Sequence, residues 1–123
     1  MELIINFITL WTNPKKHDMP IFKLQSNKRV ANPEGFMKDA SERLAEILGK
    51  PEKYIMVLWE ESEMLFAGDP APGLYAEIKS IGLPEDRTPE FSNALCTFLE
   101  ERLGIPADRI YIEFTNSDRH LLG

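Results

Sequence analysis

Few side chains in this 123-residue sequence could carry chemistry by type and spacing. The single cysteine, Cys96, excludes an intrachain disulfide and fits a reducing compartment. It lies near a helical apolar stripe, so a small buried hydrophobe is the expected role and a reactive thiol the alternative. No C-x-x-C and no His/Cys cluster at ligand spacing occurs, so neither zinc nor a dithiol centre is suggested. Lys50 follows a helix stop, where the helix macrodipole favours a cation whatever its task. Pro20 follows Met19, an alternative start, and can open a strand because its missing N–H costs nothing there.

The elements that must position these residues are written twice. Leu44 to Val57 and Leu99 to Ile112 overlay at an offset of 55 residues, with Leu, Glu, Leu, Gly, Pro and Ile recurring in step. Each copy reads as a helix end, a Gly at the left-handed C′ position, a Pro that forbids continuation, and a β-rich run. Upstream, Asn32-Pro33-Glu34 and Thr88-Pro89-Glu90 each offer an N-cap side chain, a Pro at the first helical position and an acid in the first turn. Strand candidates Pro20 to Gln25 and Leu74 to Ile81 precede the helices, so the chain reads β-α-β twice.

Within the first helix Phe36, Met37, Ala40, Leu44, Ile47 and Leu48 form the apolar stripe. Phe91, Ala94, Leu95, Phe98, Leu99 and Leu103 do so in the second. Tyr54 to Trp59 is nearly continuously apolar, as expected of an interior strand buried on both faces. Met64 to Phe66 offers a further short strand, followed by a loop. Leu74, Ala76 and Ile78 alternate with Tyr75, Glu77 and Lys79, which gives that strand a more polar face. Two helices cover only one face of a four-stranded sheet; the other, apolar in part, calls for an oligomer.

Length and a hydrophobic content of 43% suit one domain with its own core. A net charge of −6 without a basic cluster argues against nucleic acid, whose phosphates bind through Lys and Arg. Residues 1–11 form an apolar run, but Glu2 stands where a signal peptide carries positive charge, and the run is too short to span a bilayer. No membrane association is expected, and the cytoplasm is the default location. Residues 1–19 read as an N-terminal extension to a domain at residues 20–123. A packed extra element, a flexible tail and a stretch absent from the mature protein are the three readings of that extension.

With Met19-Pro20-Ile21-Phe22, Gly49 to Val57, Met64 to Gly68, Ser80-Ile81-Gly82 and Asp108 to Ile112 all in view and in order, the chain resembles the macrophage migration inhibitory factor family of the tautomerase superfamily. The resemblance implies a homotrimer of β-α-β-β-α-β subunits, each a four-stranded mixed sheet with two helices on one face. It also implies sites at the subunit interfaces and cofactor-free keto–enol tautomerase chemistry on a small keto or enol substrate such as phenylpyruvate or a dopachrome-like compound. By resemblance Pro20 is the catalytic base, Lys50 binds the substrate's carboxylate or carbonyl oxygen, and the backbone N–H of Ile81 donates. Tyr111 would line the pocket from a neighbouring subunit, with Ile21, Tyr54 and Val57 as its apolar wall. An N-terminal proline suits the chemistry. An α-amino group has a pKa of about 8, and apolar burial beside a cation disfavours its charged form, leaving a free base at working pH.

Four features depart from the family pattern. Pro20 is preceded by Met19, and a peptide-bonded proline nitrogen has no basicity; a start at Met19 with removal of that Met would free it. Glu113 stands where the family commonly has Asn at the pocket, and a carboxylate there would repel an acidic substrate or raise the proline pKa. Gly73-Leu74-Tyr75-Ala76 replaces the C-x-x-C of some members, so thiol oxidoreductase activity is not expected. The chain ends at Gly123 before the family's final aromatic residue and exchanged strand, which reads as a truncated C-terminus. The alternative function is a non-catalytic, cytokine-like trimer, a reading that leaves unconventional export open. A monomeric ferredoxin-like binding module rests on the repeat alone.

Overall fold

The computed structural model describes residues 20–117; the expected N-terminal extension and the expected truncation at Gly123 lie outside the described residues. The elements run β1 (Ile21–Ser26), α1 (Pro33–Leu48), β2 (Met56–Glu61), β3 (Leu74–Ile81), α2 (Thr88–Leu103) and β4 (Ile110–Ser117). One sheet takes the order β2-β1-β3-β4. The outer pairs are parallel and the central β1–β3 pair antiparallel, as two β-α-β units joined side by side require.

The repeat extends to details. Both helices close on a left-handed glycine, Gly49 (φ 67°) and Gly104 (φ 70°), where an L side chain would be strained. Each is followed by a short 3₁₀ turn, Glu52–Tyr54 and Ala107–Arg109, that delivers the chain into the next strand. The helix starts differ. Asn32 caps α1, its Oδ1 accepting from the Gly35 N–H at 3.1 Å. Thr88 is already helical, contrary to its expected N-cap role, and its hydroxyl donates instead to the Glu85 carbonyl at 2.9 Å. The 3₁₀ turn Glu85–Arg87 runs directly into α2 and occupies the space in which a capping Thr88 would have had to be extended.

Both helices lie on one face of the sheet. Phe22 and Leu24 of β1 and Leu74, Ala76 and Ile78 of β3 pack there against Phe36, Ala40, Leu44, Leu95, Phe98, Leu99 and Leu103, all buried. Phe36 binds the layers together, stacking on Phe98 and meeting the Trp59 ring edge-on. The expectation of an interior strand at Tyr54 to Trp59 fails. β2 is an edge strand of Met56–Glu61 in which Val57 and Trp59 pack inward while Met56 and Leu58 each remain 45% exposed. An apolar run thus marked a strand with one face on the core and one bare in the protomer.

Met64 to Phe66 forms no extended strand either. Phe66 and Asp69 exchange backbone hydrogen bonds across a two-residue turn in which Ala67 (φ 55°) and Gly68 (φ 74°) are both left-handed. Arg109 pins the loop that follows, donating to the carbonyls of Pro72, Asp69 and Ala71 at 2.8–3.0 Å while stacked over the Phe66 ring. Buried Ser26 closes its far side through Oγ to the Gly73 carbonyl at 2.6 Å.

Candidate active site

Pro20 is buried directly before β1, and its carbonyl accepts from the Met56 N–H at 3.0 Å. That bond sets the start of β1 beside the start of β2, and therefore beside the connection carrying Lys50 and Tyr54. Lys50 is half-buried, with its N–H tied to the Ala45 carbonyl at 3.1 Å by the helix stop. Because β3 runs antiparallel to β1, with Ile21 opposite Lys79, its Ser80–Ile81 end lies at this same end of the sheet. Ile81 is buried, and Gly82 in a left-handed conformation (φ 68°) turns the chain immediately after it. The fold therefore brings Pro20, Ile21, Lys50, Tyr54 and Ile81 to one end of the sheet. Asn116 braces that end, its amide exchanging hydrogen bonds with both backbone groups of Leu83 at 3.1 and 3.2 Å.

Tyr111 and Glu113 are placed elsewhere. In the parallel pairing of β3 and β4, Ile81 faces Ser117 whereas Tyr111 faces Tyr75. Tyr111 thus sits at the opposite end of β3 from Ile81, and one protomer does not assemble all the expected residues. Tyr111 is 62% exposed on the face away from the helices. Val57, named as apolar wall, instead faces the core.

Three residues of this surface were not singled out from the sequence. Lys79 stands opposite Ile21 on the open face, its Nζ 3.8 Å from the Glu77 carboxylate. Lys53 places its ammonium 5.2 Å from the Tyr54 ring centroid. Tyr75 donates its hydroxyl to Glu113 Oε1 at 2.7 Å, and its ring lies 6.3 Å from that of Tyr111. The bond to Glu113 is the largest cause, with burial next, of a Tyr75 pKa pushed up to about 12. Strand alternation placed Tyr75 and Lys79 on the polar face; the β3–β4 register that joins Tyr75 to Glu113 has no local signal.

Cys96 is half-buried on α2, and burial raises its thiol pKa, which opposes a nucleophilic thiolate. Among the described residues no group of three or more His, Cys, Asp or Glu side chains could hold a metal ion, and no helix is long and apolar enough to cross a membrane.

The family model described as macrophage migration inhibitory factor matches residues 19–123. The chain is 35% identical over 99 residues to macrophage migration inhibitory factor of Rattus norvegicus, covering 78% of this chain and 86% of that protein. It is 34% identical over 101 residues to the homologue of Trichinella spiralis, covering 80% and 89%. Among solved structures, the homologue from Prochlorococcus marinus superposes with a TM-score of 0.78 at 42% identity, covering 84% of this chain and 93% of that one.

Proposed function

Because this chain belongs to the macrophage migration inhibitory factor family, we propose that it is a cofactor-free keto–enol tautomerase of phenylpyruvate-like α-keto acids, with Pro20 as its N-terminal general base. The observation that carries the reading is the meeting of buried Pro20, half-buried Lys50 and buried Ile81 at one end of the sheet. In this reading the domain begins at Pro20 after a start at Met19, and apolar packing around the proline disfavours its ammonium form. The free amine takes a proton from the carbon beside the keto group. The electron pair left behind forms the C=C bond, and the carbonyl oxygen takes up a proton to give the enol. Lys50 holds the substrate's carboxylate, and the Ile81 N–H donates to the oxygen on which charge develops.

A neighbouring copy supplies Tyr111 and Glu113. Their distance from Ile81 along β3, and the bare Met56 and Leu58 on edge strand β2, support a trimer with shared sites. The cytoplasm is the proposed location.

The test is phenylpyruvate turnover by the full chain and by the form processed to Pro20. The processed form is active, the full chain with its peptide-bonded Pro20 is silent, and Pro20→Gly lowers kcat/KM at least about 100-fold without loss of fold, a loss of the size general bases supply. Undiminished activity in Pro20→Gly, or in the full chain, overturns the assignment. Retention of residues 1–18 ahead of Met19 favours one second reading, a tautomerase-silent, cytokine-like trimer. Silence of both forms would leave that reading standing.

A further inference from the structure

The chain leaves the sheet sharply at the end where Pro20, Lys50 and Ile81 meet. β3 stops at Ile81, Gly82 takes the left-handed conformation, and Leu83 is buried again before the 3₁₀ turn Glu85–Arg87 begins. The turn takes the Leu83 peptide groups out of the β3–β4 ladder, which ends with Ile81 opposite Ser117. Backbone groups withdrawn from water need partners, and here a side chain supplies them. Asn116, opposite Ser80 in the ladder, accepts from the Leu83 N–H on Oδ1 at 3.1 Å and donates from Nδ2 to the Leu83 carbonyl at 3.2 Å. The same Nδ2 donates to Glu85 Oε2 at 2.9 Å, so both protons of the amide are committed. Before the turn, buried Ser80 donates its hydroxyl to the Ile81 carbonyl at 3.3 Å. The backbone is thereby tied on both sides of Gly82, the residue about which the turn would otherwise pivot.

We infer that Asn116 is a positioning residue for the reaction: its amide, itself held by Glu85, sets the Ile81–Leu83 turn so that the Ile81 N–H is aimed at the oxygen on which charge develops. The inference rests on the tautomerase reading, in which that N–H is the donor to the developing charge. Asn116 touches no reacting atom, and its effect runs through Leu83 and Gly82 to the peptide group that does. A donor fixed before the substrate arrives needs no reorganisation when charge forms. That advantage is felt in the transition state more than in the bound keto acid, whose carboxylate Lys50 holds independently. Loss of the Asn116 amide therefore falls on kcat and leaves KM nearly as it was.

The experiment is steady-state turnover of phenylpyruvate, with the protein both as the full chain and processed to Pro20, and with the folded fraction read by circular dichroism. In the active form Asn116→Ala is expected to lower kcat about tenfold, a part of the roughly 100- to 1,000-fold that losing such a donor outright costs. KM stays within about twofold, and the pH midpoint of kcat/KM, set by the base, does not move. Asn116→Asp loses at least as much, because its carboxylate still accepts from Leu83 but has no proton to give to the Leu83 carbonyl or to Glu85. Glu85→Ala leaves both bonds to Leu83 in place and loses less. A merely structural brace would lower the unfolding midpoint while kcat per folded molecule stayed at the wild-type value. That result in Asn116→Ala, or a raised KM with kcat unchanged, overturns the inference and leaves the tautomerase reading intact. Should Asn116→Ala fail to fold, Asn116→Asp and Glu85→Ala decide on the same split between kcat and KM. No turnover by either wild-type form overturns both.

Discussion

The bond from Tyr75 to Glu113 holds back the ionisation of Tyr75. A free phenol loses its proton near pH 10, whereas Tyr75, donating to a carboxylate, holds its proton to about pH 12. The sign follows from linkage. With its folded pKa raised, Tyr75 contributes stability that is fully present below about pH 10 and is lost as the pH rises through about 12. Ultraviolet titration of phenolate in the wild-type protein is therefore expected to show a late phase from Tyr75, which moves back toward pH 10 in Glu113→Gln. An unchanged late phase in that variant would place the cause elsewhere. Tyr75 was legible as a polar-face residue and Glu113 as a departure from the family pattern, but their partnership spans 38 positions and depends on strand register.

At the scale of elements, Arg109 is held by its surroundings far more than a residue before a strand needs to be. It sits where the 3₁₀ turn Ala107–Arg109 enters β4, and it gathers the carbonyls of three residues of the preceding loop. Removing the guanidinium leaves those carbonyls to find water and frees the segment around the left-handed Ala67–Gly68 turn. Arg109→Ala is expected to cost about 2–3 kcal/mol, the range for losing charged hydrogen bonds, measured by urea unfolding. Arg109→Lys restores only part of it, because an ammonium lacks the planar fork that reaches several acceptors at once. Equal stability of wild type and Arg109→Ala would show that the loop holds without this anchor. The sequence offered Asp108-Arg109 as part of a family motif; a structural role for its arginine emerges only when β3, β4 and the loop are packed together.

At the scale of the molecule, the protomer leaves a sheet edge and a sheet face unfinished. Among the described residues Met56 and Leu58 stand on an edge strand with no outer neighbour, and Tyr111 is exposed at the far end of the same sheet from Pro20. The proposed trimer would complete both by association of copies through these surfaces. Sedimentation of the full chain is expected to show a species of three times its mass, and Leu58→Lys to shift it toward the monomer at low concentration with helix content retained. A monomer in the wild type, or a trimer indifferent to Leu58→Lys, would move the shared pocket off this edge.

The sequence by itself determined the elements and their doubling. A glycine with positive φ ends each helix because other residues are strained there, a proline near each helix start suits its fixed φ, and apolar spacing chose the faces that now form the core. Strand order and register were decided only by the tertiary structure, since they depend on which distant surfaces pack best rather than on any local preference. That is why Tyr54 to Trp59 read as an interior strand and folded as an edge, and why Thr88 gave up its cap to the 3₁₀ turn before it. It is also why the residues implied for one site were parted, with Pro20, Lys50 and Ile81 at one end of the sheet and Tyr111 and Glu113 further along it.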